Sequence, residues 1–293
     1  MFIDIHVHTR LSDMMPTRPD GRPAYTSPEE LIERYDALGI ESAVLLPGVT
    51  PECAKVPQSN EEIIRISRQY EGRFIPFCNI DPRAMSNSSD APLGHLLEHY
   101  KKLGCKGVGE VTANLPIFDP RVQNLFACCE KVGLALTFHL AAQIGGIYGL
   151  YDDPGLPQLE RSLQKYPKLK FFAHSQTFWA EMGRLQTPAD RYGYPTYPID
   201  EEGVVPKLFR RYENLYGDMS AGSGCNAVKR DRKFGIEFMN DFQDRLLFGT
   251  DICAPGTPTP LVDYLQELKK SGEISETVFN KIARENAVRV LGL

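Results

Sequence analysis

Short apolar runs rich in β-branched and aromatic residues alternate with longer stretches whose apolar residues recur every three or four positions. The first pattern fits buried strands and the second amphipathic helices. Strands are predicted at residues 2–6, 41–46, 74–80, 105–111, 134–140, 169–173, 215–219 and 246–249. The helical period covers 28–38, 59–71, 92–103, 120–132, 157–166, 201–212 and 227–242, and residues 260–291 read as two helices split at Ser271-Gly272. Local punctuation agrees. Ser27 stands as an N-cap before Pro28, Glu29 and Glu30, Gly39 closes that helix, and Asp119 caps the helix that begins at Pro120. Eight strands, each followed by a helix, predict an α/β fold: a (β/α)8 TIM-like barrel forming a single domain over residues 1–293. The crossovers are expected to be right-handed.

The stretch 175–200 departs from this rhythm. It carries Trp179, Arg184, Arg191, Tyr192, Tyr194 and Tyr197 among Pro188, Pro195 and Pro198, and is predicted to be a rim or lid insertion over the barrel mouth. The 293-residue length suits one barrel, and 42% hydrophobic residues supply a large core. A net charge of -5 without a long basic run gives no reason to expect nucleic acid or a membrane surface as partner. A small-molecule substrate is expected instead. Asp4, His6 and His8 interrupt the opening apolar run, and no stretch nears the roughly 20 apolar residues of a membrane span, so neither a signal peptide nor an anchor is expected. The seven cysteines are scattered, odd in number and free of CxxC pairs, which suits reduced thiols in the cytoplasm.

The active sites of such barrels lie where the strands end. His6 and His8 end the first strand, Glu110 the fourth, His139 the fifth and His174 the sixth, and Asp251 follows the eighth. Residues two apart on a strand face the same side, so both imidazoles of His6-Val7-His8 can reach one ion. A single histidine in an apolar run is usually a core residue, but four on one rim are not. Imidazole and carboxylate together suit zinc, manganese or iron. His95 and His99 fall mid-helix and are expected on the surface. Arg10, Asn79 and Arg191 are candidate substrate contacts from the same rim, with the loop tyrosines beside Arg191. Cys253 has no dedicated base in the pattern and reads as a structural thiol.

The segments Asp4-Ile5-His6-Val7-His8, Phe138-His139 with the preceding Cys128-Cys129-Glu130-Lys131-Val132-Gly133, Ala173-His174, Leu247-Phe248-Gly249-Thr250-Asp251 and the final Glu285-Asn286-Ala287-Val288-Arg289-Val290-Leu291-Gly292-Leu293 make the chain resemble the amidohydrolase superfamily. The resemblance is to the branch that holds aminocarboxymuconate-semialdehyde decarboxylase and related metal-dependent hydrolases. It implies a distorted barrel with one or two divalent ions, zinc foremost and manganese or iron as alternatives. It implies that His6, His8 and Asp251 ligate the first ion and that His139 ligates in one-ion and two-ion members alike. His174 then binds a second ion or touches substrate and water, and Asp251 shuttles the proton. Glu110 is the departure. Many two-ion relatives carry a carboxylated lysine there and the decarboxylases generally lack an acid, whereas hydrolytic relatives such as the TatD type use a glutamate that bridges two ions. The expected activity is therefore hydrolysis of an amide, lactone or ester bond by metal-activated water, with Asp251 and His174 as the catalytic pair. The alternative is a one-zinc decarboxylase of an aromatic or enoic acid, in which Glu110 only orients an imidazole. The resemblance also implies a homo-oligomer.

Overall fold

In the computed structural model, which describes residues 1–54 and 56–293, the predicted alternation becomes β1 (Phe2–Val7), α1 (Pro28–Leu38), β2 (Ile40–Leu45), α2 (Asn60–Gln69), β3 (Phe74–Pro76), α3 (Leu93–Lys102) and β4 (Gly107–Val111). It continues through α4 (Pro120–Val132), β5 (Ala135–Ala141), β6 (Leu150–Tyr151), α5 (Pro157–Lys165), β7 (Phe171–His174), α6 (Gln176–Ala180), α7 (Val204–Arg211) and β8 (Leu215–Asp218). The rest is α8 (Ala221–Lys229), α9 (Arg232–Asp241), β9 (Leu246–Leu247), α10 (Pro260–Ser271), α11 (Glu276–Asn280) and α12 (Asn286–Leu291). The caps form as the sequence requires. Ser27 and Glu30 make a reciprocal capping box, and the Asp119 carboxylate accepts from the Arg121 amide.

All strand pairs are parallel, in the orders β1-β2-β3 and β4-β5-β7-β8-β9, with β6 paired to β5. Two seams close the ring. Cys78 bridges to Val108, and Val7 bridges to Ile252. At the second seam the Ile5 amide donates to Phe248 O at 3.0 Å and the Asp251 amide to His6 O at 2.8 Å, which draws the two ends of the site together. The result is the (β/α)8 barrel. A small apolar cluster that includes Ile3, Ile5, Val44, Phe172 and Leu247 also takes in Ala287, Val290 and Leu291. α12 thereby covers the end of the barrel opposite the site, where Lys106 and Lys170 donate to Gly292 O and Val290 O. Among the described residues no helix is long and apolar enough to cross a membrane.

Four details differ from the sequence reading. β3 stops at Pro76, which has no amide for the ladder, although the chain stays extended to Cys78. β6 is an added short strand after the glycine-rich turn that follows β5. The helix expected at 227–242 is two, α8 and α9, broken where Asp231 leaves the helix to cap the Phe234 amide at 3.1 Å. The stretch 175–200, predicted without regular structure, begins as α6, with Thr177, Phe178, Trp179 and Ala180 buried. Its aromatic residues divide: Trp179 enters the core and donates to Asp218 O at 2.9 Å, while Tyr192 and Tyr194 stay exposed.

Candidate metal centre

The six residues picked from the strand ends converge. His6 and His8 point the same way from β1, with their Nε2 atoms 3.2 Å apart. Glu110 Oε2 lies 3.5 Å from His6 Nε2 and 3.6 Å from His8 Nε2. Asp251 Oδ1 lies 3.6 Å and 3.7 Å from the same two nitrogens. Tetrahedral zinc with bonds of about 2.0–2.2 Å separates its ligand atoms by about 3.3–3.6 Å. The five distances fall within about 0.1 Å of that range, so the residues fit one divalent ion.

A second group faces the other oxygen of Glu110. His139 Nδ1 is 2.8 Å from Glu110 Oε1, and His174 Nε2 is 4.0 Å from it. His174 Nε2 also lies 3.9 Å from Asp251 Oδ2. Glu110, His139 and His174 can offer one donor atom each within 4.8 Å of one another, as can His6, His174 and Asp251.

Outer partners fix which ring nitrogen is free. His6 Nδ1 meets Asp218 Oδ2 at 2.6 Å, and His8 Nδ1 meets Leu46 O at 2.8 Å. Donation at Nδ1 leaves each Nε2 with a lone pair aimed at the ion. His174 Nδ1 contacts Ser220 Oγ at 3.0 Å. Asp4, a buried residue of β1, accepts from Tyr35 Oη and from the amides of His6 and Thr250, and so ties β1 to the turn that carries Asp251. Burial pushes the Asp4 carboxyl up to about 6. Asp251 itself sits at φ 54, a left-handed conformation that costs energy for a side chain but is tolerated by aspartate.

Burial opposes charge throughout the cluster, and neighbours decide the outcome. Burial disfavours the His6 imidazolium, yet Asp218, Glu110 and Asp251 raise its pKa well above the ordinary value. Burial likewise opposes ionisation of Glu110, but His6 and the hydrogen bond from His139 hold its carboxyl well below the usual range. Burial, and then His6, lower His174 to about 4, so its ring is neutral and able to ligate. These acids and histidines share protons in a space that a cation would fill.

Two glycines make room. A Cβ on Gly109 would stand 2.6 Å from Thr137 O, and one on Gly149 would stand 2.9 Å from His139 Cδ2. Both have positive φ, which a side chain rarely adopts.

A cavity of about 710 Å³ opens onto the centre. Its walls come mainly from the loops after β1 and β2, with Tyr25, Pro47 and Ala54, and from Tyr148, whose ring centroid lies 4.6 Å from that of His139. Arg18 lines it and makes no ion pair among the described residues, although its charge acts on Asp20, which pairs with Arg22. Cys253 also lines it, with Sγ 3.3 Å from Asp251 Oδ1. Burial and Asp251 push that thiol well up, which removes it as a nucleophile.

The three expected substrate contacts do not line this cavity. Arg10 turns back to a buried pair with Glu62 at 3.2 Å, because the first turn of α2 presents that carboxylate to the loop after β1. Asn79 donates to Pro47 O at 2.9 Å and Glu110 O at 2.6 Å, clamping neighbouring strand ends. Arg191 is buried against Glu181 at 3.0 Å. His95 and His99 are exposed on α3, as expected. Sequence reasoning missed Asp218 and Ser220, although an acid ending a predicted strand, as Asp218 does, was a visible signal. It also missed Arg18 and Tyr25, which only the fold of an irregular loop brings to the mouth.

A family model described as Amidohydrolase matches residues 3–293. No curated protein matches the chain. Among solved structures, an uncharacterized TIM-barrel protein from Bordetella bronchiseptica is 18% identical, with 99% of this chain and 98% of that chain covered and a TM-score of 0.68. The 5-carboxyvanillate decarboxylase from Sphingomonas paucimobilis is 18% identical, covering 100% of this chain and 99% of that one, with a TM-score of 0.63. A probable 2-pyrone-4,6-dicarboxylic acid hydrolase from Acinetobacter baumannii is 15% identical, covering 100% and 99%, with a TM-score of 0.57. At these identities the structural likeness speaks for the fold.

Proposed function

The chain belongs to the amidohydrolase family, and from that premise we propose that it is a metal-dependent hydrolase that cleaves a lactone, ester or amide bond in a small carboxylate-bearing substrate. One observation carries this reading. The two oxygens of Glu110 face different donor sets, Oε2 towards His6 and His8 and Oε1 towards His139 and His174. A carboxylate so placed could serve two ions at once. His6, His8 and Asp251 would hold one ion and His139 and His174 the other. Zinc suits the nitrogen-rich donors best, and manganese or iron fit the same set. When bound, such ions supply Lewis acidity to a substrate oxygen and bring water towards ionisation near neutral pH.

The chain's own residues do the rest. Asp251, at the cavity floor, takes the proton from the attacking water and returns it to the leaving group. His174 serves as a ligand when the second ion is present; without that ion its neutral ring, with Nδ1 accepting from Ser220 Oγ, can donate from Nε2 towards the oxygen on which charge develops. Arg18 meets a substrate carboxylate, and Tyr25 and Tyr148 flank a flat body between the guanidinium and the centre. The names of the two relatives, a pyrone dicarboxylic acid hydrolase and a carboxyvanillate decarboxylase, share a ring bearing carboxylate, which agrees with this cavity.

A second reading draws on the 2.8 Å contact of His139 Nδ1 with Glu110 Oε1. If Glu110 only orients that imidazole, the centre holds one ion and suits decarboxylation of an aromatic acid. Metal content per chain, measured together with product analysis on carboxylated lactones and hydroxybenzoates, separates the two. Two ions and a ring-opened product support hydrolysis. One ion with release of carbon dioxide overturns it.

A further inference from the structure

The donors of the centre have an inner and an outer face. His6 and His174 are closed off in the barrel, whereas His8, Glu110, His139, Asp251 and Cys253 line the open cavity. His8, Asp251 and Cys253 can each offer a donor atom within 4.8 Å of the other two. Cys253 Sγ stands 3.3 Å from Asp251 Oδ1 and donates its proton there. A tetrahedral ion with bonds of about 2.3 Å to sulfur and about 2.1 Å to oxygen separates those atoms by about 3.6 Å. An ion can therefore take the place of the thiol proton with a small adjustment of one side chain.

We propose that His8, Asp251 and Cys253 form an outer metal site, on the cavity face of the centre, that takes a thiophilic divalent cation such as cadmium or excess zinc. Binding replaces the S–H bond by a sulfur–metal bond and releases the proton through the cavity to buffer, with no change of oxidation state. A thiolate selects soft ions over manganese or magnesium. His8 Nε2 has one lone pair, so it cannot serve this ion and the inner donor set together. Occupying the outer site thus withdraws a ligand from the centre and fills its entrance. The site shares His8 and Asp251 with the centre and adds Cys253, and it holds whether the inner chemistry is hydrolysis or decarboxylation.

The test is cadmium titration of the full chain after removal of metal by a chelator. A sulfur-to-cadmium charge-transfer band in the ultraviolet is expected to rise and saturate, to disappear in Cys253→Ser, and to persist in Cys53→Ser, whose thiol lines the same cavity. A band that survives Cys253→Ser comes from another cysteine and overturns the proposal, as does no band in the wild type at saturating cadmium. The wild-type protein gives a readout independent of any variant's folding. Saturating cadmium should slow alkylation of Cys253 by tenfold or more, measured on the peptide by mass spectrometry, and an unchanged rate again overturns the site.

Discussion

His6 Nδ1 lies 2.6 Å from Asp218 Oδ2, and both side chains are closed to solvent. The pair joins β1 to β8 and sets the imidazole so that Nε2 faces the centre. A carboxylate behind a ligating histidine raises its basicity and fixes its tautomer, and loss of such a partner typically weakens metal binding about 10- to 100-fold. Asp218→Asn keeps the volume and an acceptor but removes the charge. Its metal affinity, measured by competition with a chelator, should fall about tenfold or more while circular dichroism stays unchanged. Equal affinity in variant and wild type would mean that the contact is only packing.

Asp251 and His6 separate holding the ion from using it. His6 shares its Nε2 environment with His8, Glu110 and Asp251, and a methyl in its place leaves a gap beside the charged groups. His6→Ala should lose metal and turnover together, read by elemental analysis and a product assay. Asp251→Asn retains an oxygen donor but cannot accept and return a proton. It should keep much of the metal and lose about 100- to 10,000-fold in turnover, the range associated with a positioned acid–base group. Full activity in Asp251→Asn would rule out the assigned shuttle.

The strands and the rim were legible because two strong signals coincide in them. Buried parallel strands are apolar almost throughout, so His6, Glu110, His139 and His174 stand out as polar residues that such a run tolerates only for a reason. Arg10 and Arg191 misled for the opposite reason. An arginine in a loop reads as available, and only the packed structure brings Glu62 and Glu181 to neutralise them. The aromatic residues of 175–200 split between core and surface, and their short helix α6 has no repeating period to betray which is which. Arg18 became visible only when the irregular loop after β1 folded over the mouth, since no local pattern specifies where such a turn ends.

Arg191 sits between two buried acids, and this predicts a pH dependence of stability away from the centre. Burial pushes Glu181 up to about 7, with Arg191 and the Gly155 amide opposing and Asp152 adding to the rise. Burial raises Asp152 to about 6 against the amides of Leu159, Gln158 and Asp153, with Arg191 again opposing. Both acids bind protons more tightly in the folded chain than in the unfolded one. Their favourable contribution is therefore complete below about pH 4, the unfolded range, and is lost as pH rises through 6 and 7. For Glu181 the loss is on the order of 3 kcal/mol. The urea midpoint should fall between pH 5 and pH 8, and Glu181→Gln should flatten much of that slope while still accepting from Gly155. A variant slope as steep as that of the wild type would show that the titration lies elsewhere.

Arg18 offers the sharpest test of the substrate class. It lines the cavity and makes no ion pair among the described residues, although its charge acts on Asp20, which pairs with Arg22. A charge-assisted hydrogen bond to a carboxylate is worth about 1.5–3 kcal/mol, or about 10- to 100-fold in binding. If the contact is made equally in the ground and transition states, Arg18→Ala should raise KM for a carboxylated substrate by that factor and leave kcat within about threefold. Arg18→Lys should recover part of the loss, because it keeps the charge but not the paired donors. The same variants should act normally on an ester analogue that lacks the carboxylate. A fall in kcat with KM unchanged, or an equal loss on the neutral analogue, would remove Arg18 from substrate recognition and leave it a rim residue.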